Sequence, residues 1–403
     1  MNSVAYLDNN ATTIIRPEVI EAMSACLAAG YANPASQHAE GRRARKVLEE
    51  AREGIGRILG ARQDSVQADR IVFTSGGTEA NNLALAGRFP TGHSGLSDSL
   101  SENPKPARLI VSNIEHPSVI ETARRLKATG VDVQWLPVNA DGVVQLDRLP
   151  TLLNDETSLV AVMMANNETG VIQPIEQVVQ ACEDRAAVHI DAVQVAGKLP
   201  LSFRELGVAS MTVTAHKFHG PRGIGALFVR YDQQIEPLTV GGSQQLGTRP
   251  GTESVALAVG MHKALELWQQ DATENAERMT TLRDEMESNL REALPDIVIN
   301  GCNSRRLPHT SNVSFPGLDR QAMLLALDRA NVACSTGSAC TSGSSEPSHV
   351  LIAMGAPKAV IEGSLRISLS PQSTPEEVGF ATGKIVEIAR KMKAFQGDSL
   401  GGS

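Results

Sequence analysis

From Ile71 to Val229, short apolar runs rich in β-branched residues alternate with segments of helical period, and this alternation limits the fold more than any other feature. Ile71–Thr74, Arg108–Ser112, Val131–Leu136, Leu159–Met164, Ala187–Ile190, Met211–Thr214 and Ala226–Val229 read as strands. Between them lie helical patterns such as Pro117–Ala128 and Pro174–Cys182, each opened by a proline whose fixed φ suits a first helical turn. Strands alternating in this way with helices predict an α/β fold: a mostly parallel sheet with helices on both faces. Ligands in such a fold collect at the carboxyl ends of the strands.

From Thr252 the pattern changes to a long helical segment through Arg291 and short strands at Asp296–Asn300 and Thr310–Phe315. A helix from Asp319, a strand Leu365–Leu369 and a last helix Thr374–Ala394 complete a smaller α+β unit. The expected organisation is an N-terminal segment, 1–15, packed with the small domain, a large domain over 16–255, and a small C-terminal domain over 256–403. Residues 88–106, rich in Pro, Gly and Ser, read as a flexible surface insertion.

A net charge of -8 argues against a nucleic-acid partner, because phosphate contacts need clustered Lys and Arg. The one dense basic run, Gly41–Lys46, continues into the mixed charges of Val47–Glu50 and reads as a solvated helix face. The N-terminus has no secretory pattern, and no stretch approaches the ~18 apolar residues of a membrane span. A cytoplasmic protein without a membrane partner is expected. Five scattered cysteines, at 26, 182, 302, 334 and 340, fit free thiols in a reducing compartment.

Four polar clusters follow the strands. In Thr74–Asn82 a strand runs into glycines and a helix, which aims backbone N–H groups and the Thr78 hydroxyl at an anion, although a plain tight turn explains it equally well. In His189–Gln194, Asp191 ends an apolar run, where a carboxylate needs a cation or donors; a structural salt bridge is the competing reading. In Thr214–Gly225, Lys217 leaves a strand among hydroxyl and imidazole groups, where burial or cationic neighbours can lower an amine's pKa and make it a nucleophile for a carbonyl; a plain surface lysine, the usual reading, is disfavoured by these surroundings. In Asn113–Ser118, His116 stands between a strand and a helix. An anion cup, an acid for a ring nitrogen, a lysine for an aldehyde and a flat imidazole together match pyridoxal 5′-phosphate.

With Tyr6–Thr13 and Leu365–Ser370, these motifs resemble, in matching order over nearly the whole chain, the cysteine desulfurases of the NifS/IscS kind. Those belong to the class V aminotransferases among the fold-type I pyridoxal-phosphate enzymes. The resemblance implies that Lys217 joins the cofactor covalently, Asp191 pairs with the pyridine nitrogen, Gln194 bonds the phenolic oxygen and His116 stacks on the ring. It assigns the phosphate to the Gly77 turn, Thr78, Thr214, His216, and Thr252 from the other subunit of a homodimer. Asn167, also beside the cofactor, and Arg366 would bind the substrate carboxylate, a task that suits the two-pronged guanidinium. Gly241–Thr252 resembles the family's dimer loop, with Pro250 where serine or alanine is expected, and the 88–106 insertion is longer than the family pattern.

Thr336–Ser342 matches the family's Ser-Gly-Ser-Ala-Cys-Thr-Ser pattern, which selects Cys340 as the sulfur nucleophile. Gly337, Gly343 and the neighbouring serines suit a segment that must move. Cys334, at the end of an apolar run, reads as packing. No resident metal is expected, since the two cysteines have five residues between them and no second ligand pair nearby; a transferred cluster or iron would touch the chain at Cys340. A 334–340 disulfide is compatible with the spacing but would disable the chemistry.

The implied function is removal of sulfur from L-cysteine to give L-alanine and a Cys340 persulfide. Lys217 would move the Cα proton, His116 would serve as proton donor and acceptor, and the sulfur would go to acceptor proteins such as an iron–sulfur scaffold or to other thio-cofactors. A selenocysteine lyase or related aminotransferase, and a non-catalytic scaffold, are the competing readings.

Overall fold

The structure, a computed structural model, describes residues 4–63, 66–89, 107–183, 185–337 and 346–400. Its strands are β1 (Ala5–Tyr6), β2 (Arg70–Thr74), β3 (Arg108–Ser112), β4 (Asp132–Leu136), β5 (Thr157–Met163), β6 (Ala187–Asp191), β7 (Ser210–Thr214), β8 (Gly225–Val229), β9 (Val298–Ile299), β10 (Thr310–Ser314), β11 (Val332–Ala333) and β12 (Ser364–Ser368).

A seven-stranded sheet runs in the order β2-β8-β7-β6-β5-β3-β4. From β4 to β7 all neighbours are parallel, while β8 is antiparallel to both β7 and β2. The physical reason is local: only residues 215–224 separate β7 from β8, too short a stretch for the helical crossover that parallel pairing needs. Both faces are covered. Ile71, Phe73 and Ile110 enter one apolar cluster, with helices Ala39–Ile58 and Val255–Gln270; Val72, Leu109 and Val111 enter another, with Gly77–Ala86 and Pro117–Ala128. Successive strand residues therefore point into opposite cores, which is why the strands read as unbroken apolar runs.

A third cluster gathers around the antiparallel sheet β12-β10-β9, helix Ala272–Ala293 and the helix that starts at Pro375. Here the structure refines several sequence expectations. The long helix after Thr252 is two helices, Val255–Gln270 and Ala272–Ala293, broken at Asp271, which sits at φ -125°. Pro174 stays outside its helix, which spans Ile175–Cys182. The strand expected at 296–300 shrinks to the two residues of β9. In helix Ala39–Ile58 the basic run does face solvent, with Gly41, Ala44 and Leu48 buried on the opposite side.

The N-terminal segment joins the parts. β1 pairs in parallel with β11, and Ser368 N donates to Leu7 O. A few residues on, Thr13 N donates to His216 O and the Thr13 hydroxyl accepts from His219 N, at the end of the large sheet. Most of the expected insertion, residues 90–106, lies outside the described residues.

Candidate active site

The carboxyl ends of β2, β3, β6 and β7 surround a cavity of about 240 Å³. Nine of the twelve residues expected at the site line it: Gly77, Thr78, His116, Asn167, Asp191, Gln194, Thr214, His216 and Lys217. Asp191 and Thr214 are the last residues of β6 and β7, while Gly77 opens the helix after β2 and His116 caps the helix after β3.

Lys217 ends a single 3-10 turn that leaves β7. Its Nζ donates to the carbonyls of Asn10 at 2.5 Å and Ala11 at 2.8 Å. Burial, and then the Arg366 charge, pull the amine down to about 8 from an ordinary 10.5, with Asp191 and Asp8 opposing. Behind it, the buried Lys198 Nζ donates to the Lys217 carbonyl at 3.0 Å; burial and the Lys217 charge bring that second amine down to about 7.

Asp191 is 5% exposed and makes no ion pair among the described residues, so the salt-bridge reading of this carboxylate is not met. Its Oδ2 accepts from Asn81 Nδ2 at 2.7 Å and its Oδ1 from Val193 N at 2.9 Å. Asn81 Oδ1 lies 3.2 Å from His189 Nε2, and burial takes that imidazole down to about 3, keeping it neutral. The buried Asp191 carboxyl is thus held by neutral donors beside the cavity.

His116 Nδ1 accepts the N–H of Ser118 at 3.1 Å, which assigns the proton of the neutral ring to Nε2. Burial lowers its pKa first, with Lys217 adding to the shift and Asp191 opposing it. Gln194 donates Nε2 to Asn10 O at 3.2 Å, and its buried Oε1 has no partner among the described residues. At Gly77 a Cβ would stand 3.1 Å from Val193 Cγ2, so the glycine lets the helix start approach the sheet rim. His216 Nδ1 is 3.2 Å from the Thr12 hydroxyl, and burial takes this ring down to about 4.

Arg366 reaches the rim from β12. Its Nη2 pairs with Asp8 Oδ1 at 2.7 Å and its Nη1 donates to Asn167 O at 3.1 Å. Among the described residues, the buried Arg366 Nε and Asn167 Oδ1 have no hydrogen-bond partner, which leaves polar capacity at this end of the cavity. Thr252 is exposed and lines a different depression, beside Cys26 and Tyr31, away from Lys217 on its own chain. Cys340 lies outside the described residues. Cys334 is half-buried against the third cluster, and burial pushes its thiol up to about 12, an unreactive value. Among the described residues, no group of three or more His, Cys, Asp or Glu could hold a metal ion.

Sequence reasoning missed Asn81, Ser118, Asp8 and the carbonyls of Asn10 and Ala11. Asn81 stands four residues into the helix opened by Gly77, one turn along and turned toward Asp191, a signal present in the spacing. The carbonyls carry no side-chain signal at all.

The family model for aminotransferase class V matches residues 5–380. A cysteine desulfurase of Trichormus azollae is 40% identical over 99% of this chain and 97% of its own length. A solved NifS-like protein superposes with a TM-score of 0.85 at 36% identity, over 96% of this chain and 99% of the other. The structure of SspA in complex with cysteine matches at 0.76 and 32%, over 92% and 99%. On its sequence, its sheet order and its strand-end cavity, this chain belongs to the class V aminotransferase family, among the cysteine desulfurases.

Proposed function

We propose that the chain takes sulfur from L-cysteine onto Cys340 as a persulfide, releases L-alanine, and works with pyridoxal 5′-phosphate. The observation that carries the cofactor is Asp191: a buried carboxyl group that makes no ion pair among the described residues, beside the same cavity as a lysine whose amine burial brings down to about 8. A protonated pyridine nitrogen supplies the missing positive partner, and an aldehyde suits the amine. Lys217 would hold the aldehyde carbon, Asp191 the ring nitrogen, Gln194 the phenolic oxygen and His116 the ring face. The N–H groups at Gly77 and Thr78, with Thr214 and His216, would hold the phosphate.

When bound, the cofactor supplies a conjugated ring that accepts the electron pair left at the substrate Cα. Lys217 then moves the Cα proton, a task favoured by an amine near 8. His116 offers its Nε2 proton to the cavity. Arg366, through its guanidinium N–H donors, and Asn167, through its side-chain amide N–H, hold the substrate carboxylate. The Cys340 thiolate attacks the substrate sulfur: an S–S bond forms, the Cβ–S bond breaks with its electron pair left on carbon, and protonation at Cβ completes L-alanine. Sulfur on the protein is oxidised as the substrate carbon is reduced, and no outside oxidant is needed.

A homodimer is part of this reading. Val240 and Leu246 are 81% and 82% exposed at the loop that ends in Thr252, apolar surface that a second copy would cover, bringing Thr252 to the neighbour's phosphate. The separate apolar clusters support a large and a small domain, but helix Val255–Gln270, expected in the small domain, packs with the large sheet, which moves the division from 255 to the break at Asp271. The free thiols of Cys26, Cys182, Cys302 and Cys334 support a reducing, cytoplasmic setting. Persulfide sulfur would pass to acceptor proteins such as an iron–sulfur scaffold.

The test is Cys340→Ala in the cofactor-loaded protein. Alanine formation from L-cysteine should collapse while the visible absorbance persists, and Lys217→Ala should lose that absorbance. Alanine formed at the original rate by Cys340→Ala would refute the sulfur route, and a colourless wild-type protein would refute the cofactor.

A further inference from the structure

Glu168 has no part in the chemistry above, yet it is 1% exposed and follows Asn167 directly at the rim of the cavity. Its backbone is held on both sides, with its N–H on Asn166 Oδ1 at 2.9 Å and its carbonyl accepting from Asn312 Nδ2 at 3.4 Å. The Glu168 Oε2 accepts the Ser348 hydroxyl at 2.5 Å. That hydroxyl in turn accepts the Leu351 N–H and so caps the helix His349–Ala353. On its other flank the carboxyl meets Gly337, where φ is +84° and a Cβ would stand 3.3 Å from both Glu168 Cγ and Oε2.

Gly337 and Ser348 bracket Cys340, three residues before it and eight after it. One buried side chain therefore hydrogen-bonds one shoulder of the stretch that carries the sulfur nucleophile and packs so close to the other that a side chain there would crowd it. Nearby ties hold the same shoulders: Ser335 and Arg366 exchange two backbone hydrogen bonds, and His349 Nε2 bonds the carbonyl of Glu115, the neighbour of His116.

We propose that Glu168 is a positioning residue that binds both shoulders of the Cys340 stretch to the substrate end of the cavity, so that sulfur transfer depends on it and cysteine binding does not. This rests on Cys340 as the sulfur acceptor. The physical basis is effective concentration. Holding both ends of a segment restricts where a group between them can reach, and releasing one end relaxes that restriction. A glycine at 337 gives the close approach, and the serine at 348 gives the hydrogen bond.

The test uses the cofactor-loaded protein with Glu168→Ala, Ser348→Ala, their double variant, and Glu168→Gln, which keeps an acceptor oxygen for the Ser348 hydroxyl. Persulfide on Cys340 is followed by mass spectrometry in a single turnover, and cysteine binding by the absorbance change it causes. Glu168→Ala should slow persulfide formation ~10–100-fold, the range set by small misplacements of a reacting group, with cysteine affinity within about twofold of wild type. Glu168→Gln should recover transfer to within about threefold, because the hydrogen bond survives. Ser348→Ala should slow transfer as well, and the double variant should be no slower than Glu168→Ala, since a shared contact is lost only once.

Equal losses in binding and transfer, or additive losses in the double variant, would overturn the proposal. If Glu168→Ala does not fold, a folded Ser348→Ala that transfers sulfur at the wild-type rate overturns it alone. Alanine released by wild type with no sulfur on Cys340 would sink the nucleophile assignment as well, a result separable from variants that leave normal transfer untouched.

Discussion

The lowered pKa of the Lys217 amine yields the sharpest quantitative expectation. An amine that titrates at about 8 is about one-tenth neutral at pH 7, whereas one at the ordinary 10.5 is neutral in only about three molecules in ten thousand. The difference is roughly 300-fold in the fraction able to attack a carbonyl, before any contribution from orientation. Competitive trace acetylation of the cofactor-free chain, read by mass spectrometry against the exposed Lys358, measures that fraction as a function of pH. Two variants carry the signs. Arg366→Met removes a positive charge that lowers the amine, so its midpoint should rise above about 8; Asp191→Asn removes a negative charge that raises it, so its midpoint should fall. The folded state is the weaker proton binder here, so this lysine favours folding more as pH rises from about 8 to 10.5. A wild-type midpoint near 10.5, or variant shifts of the opposite sign, would refute the account of the site's electrostatics.

Glu115 supplies a second pH signature. Burial first, with the Asp191 charge adding to it, pushes its carboxyl up to about 8, against hydrogen bonds from the Ser112 hydroxyl and Met163 N. Its stabilising contribution is complete below 4.5 and is lost as pH rises through about 8, so the stability of Glu115→Gln relative to wild type should improve by up to about 3 kcal/mol between pH 5 and 8. Parallel denaturant-midpoint curves for the two proteins would disprove it. Gly197→Ala should destabilise by about 3 kcal/mol or more, since φ is +72° and the new Cβ would fall 2.1 Å from Phe218 Cβ, next to Lys217. Chemical denaturation at neutral pH checks this, and a loss below about 1 kcal/mol would show that the turn relaxes freely.

Much of the fold was legible in the chain because burial on both faces of a parallel sheet leaves a mark in consecutive residues. β3 and helix Pro117–Ala128 match their expected spans residue for residue, and the other large-sheet strands differ by one to three residues at their ends. Short pairings left no such mark. β1 and β11 are two residues each and exist only because distant segments meet, and the break at Asp271 interrupts a helical pattern that composition alone continues.

The site divides in the same way. Its chemical types and their order after the strands were set by the sequence alone: a glycine turn, a histidine, a carboxylate and a lysine, each placed where an α/β fold collects ligands. Only the tertiary structure decided their charge states and their partners. Asp191 is held by Asn81, 110 residues away in sequence; Lys217 rests on the carbonyls of Asn10 and Ala11; and Glu168 meets Gly337 and Ser348. Residue type sets what a group can do, whereas solvation and neighbouring charge set whether it does so at neutral pH. Those two quantities come into being only when the chain has closed around the cavity.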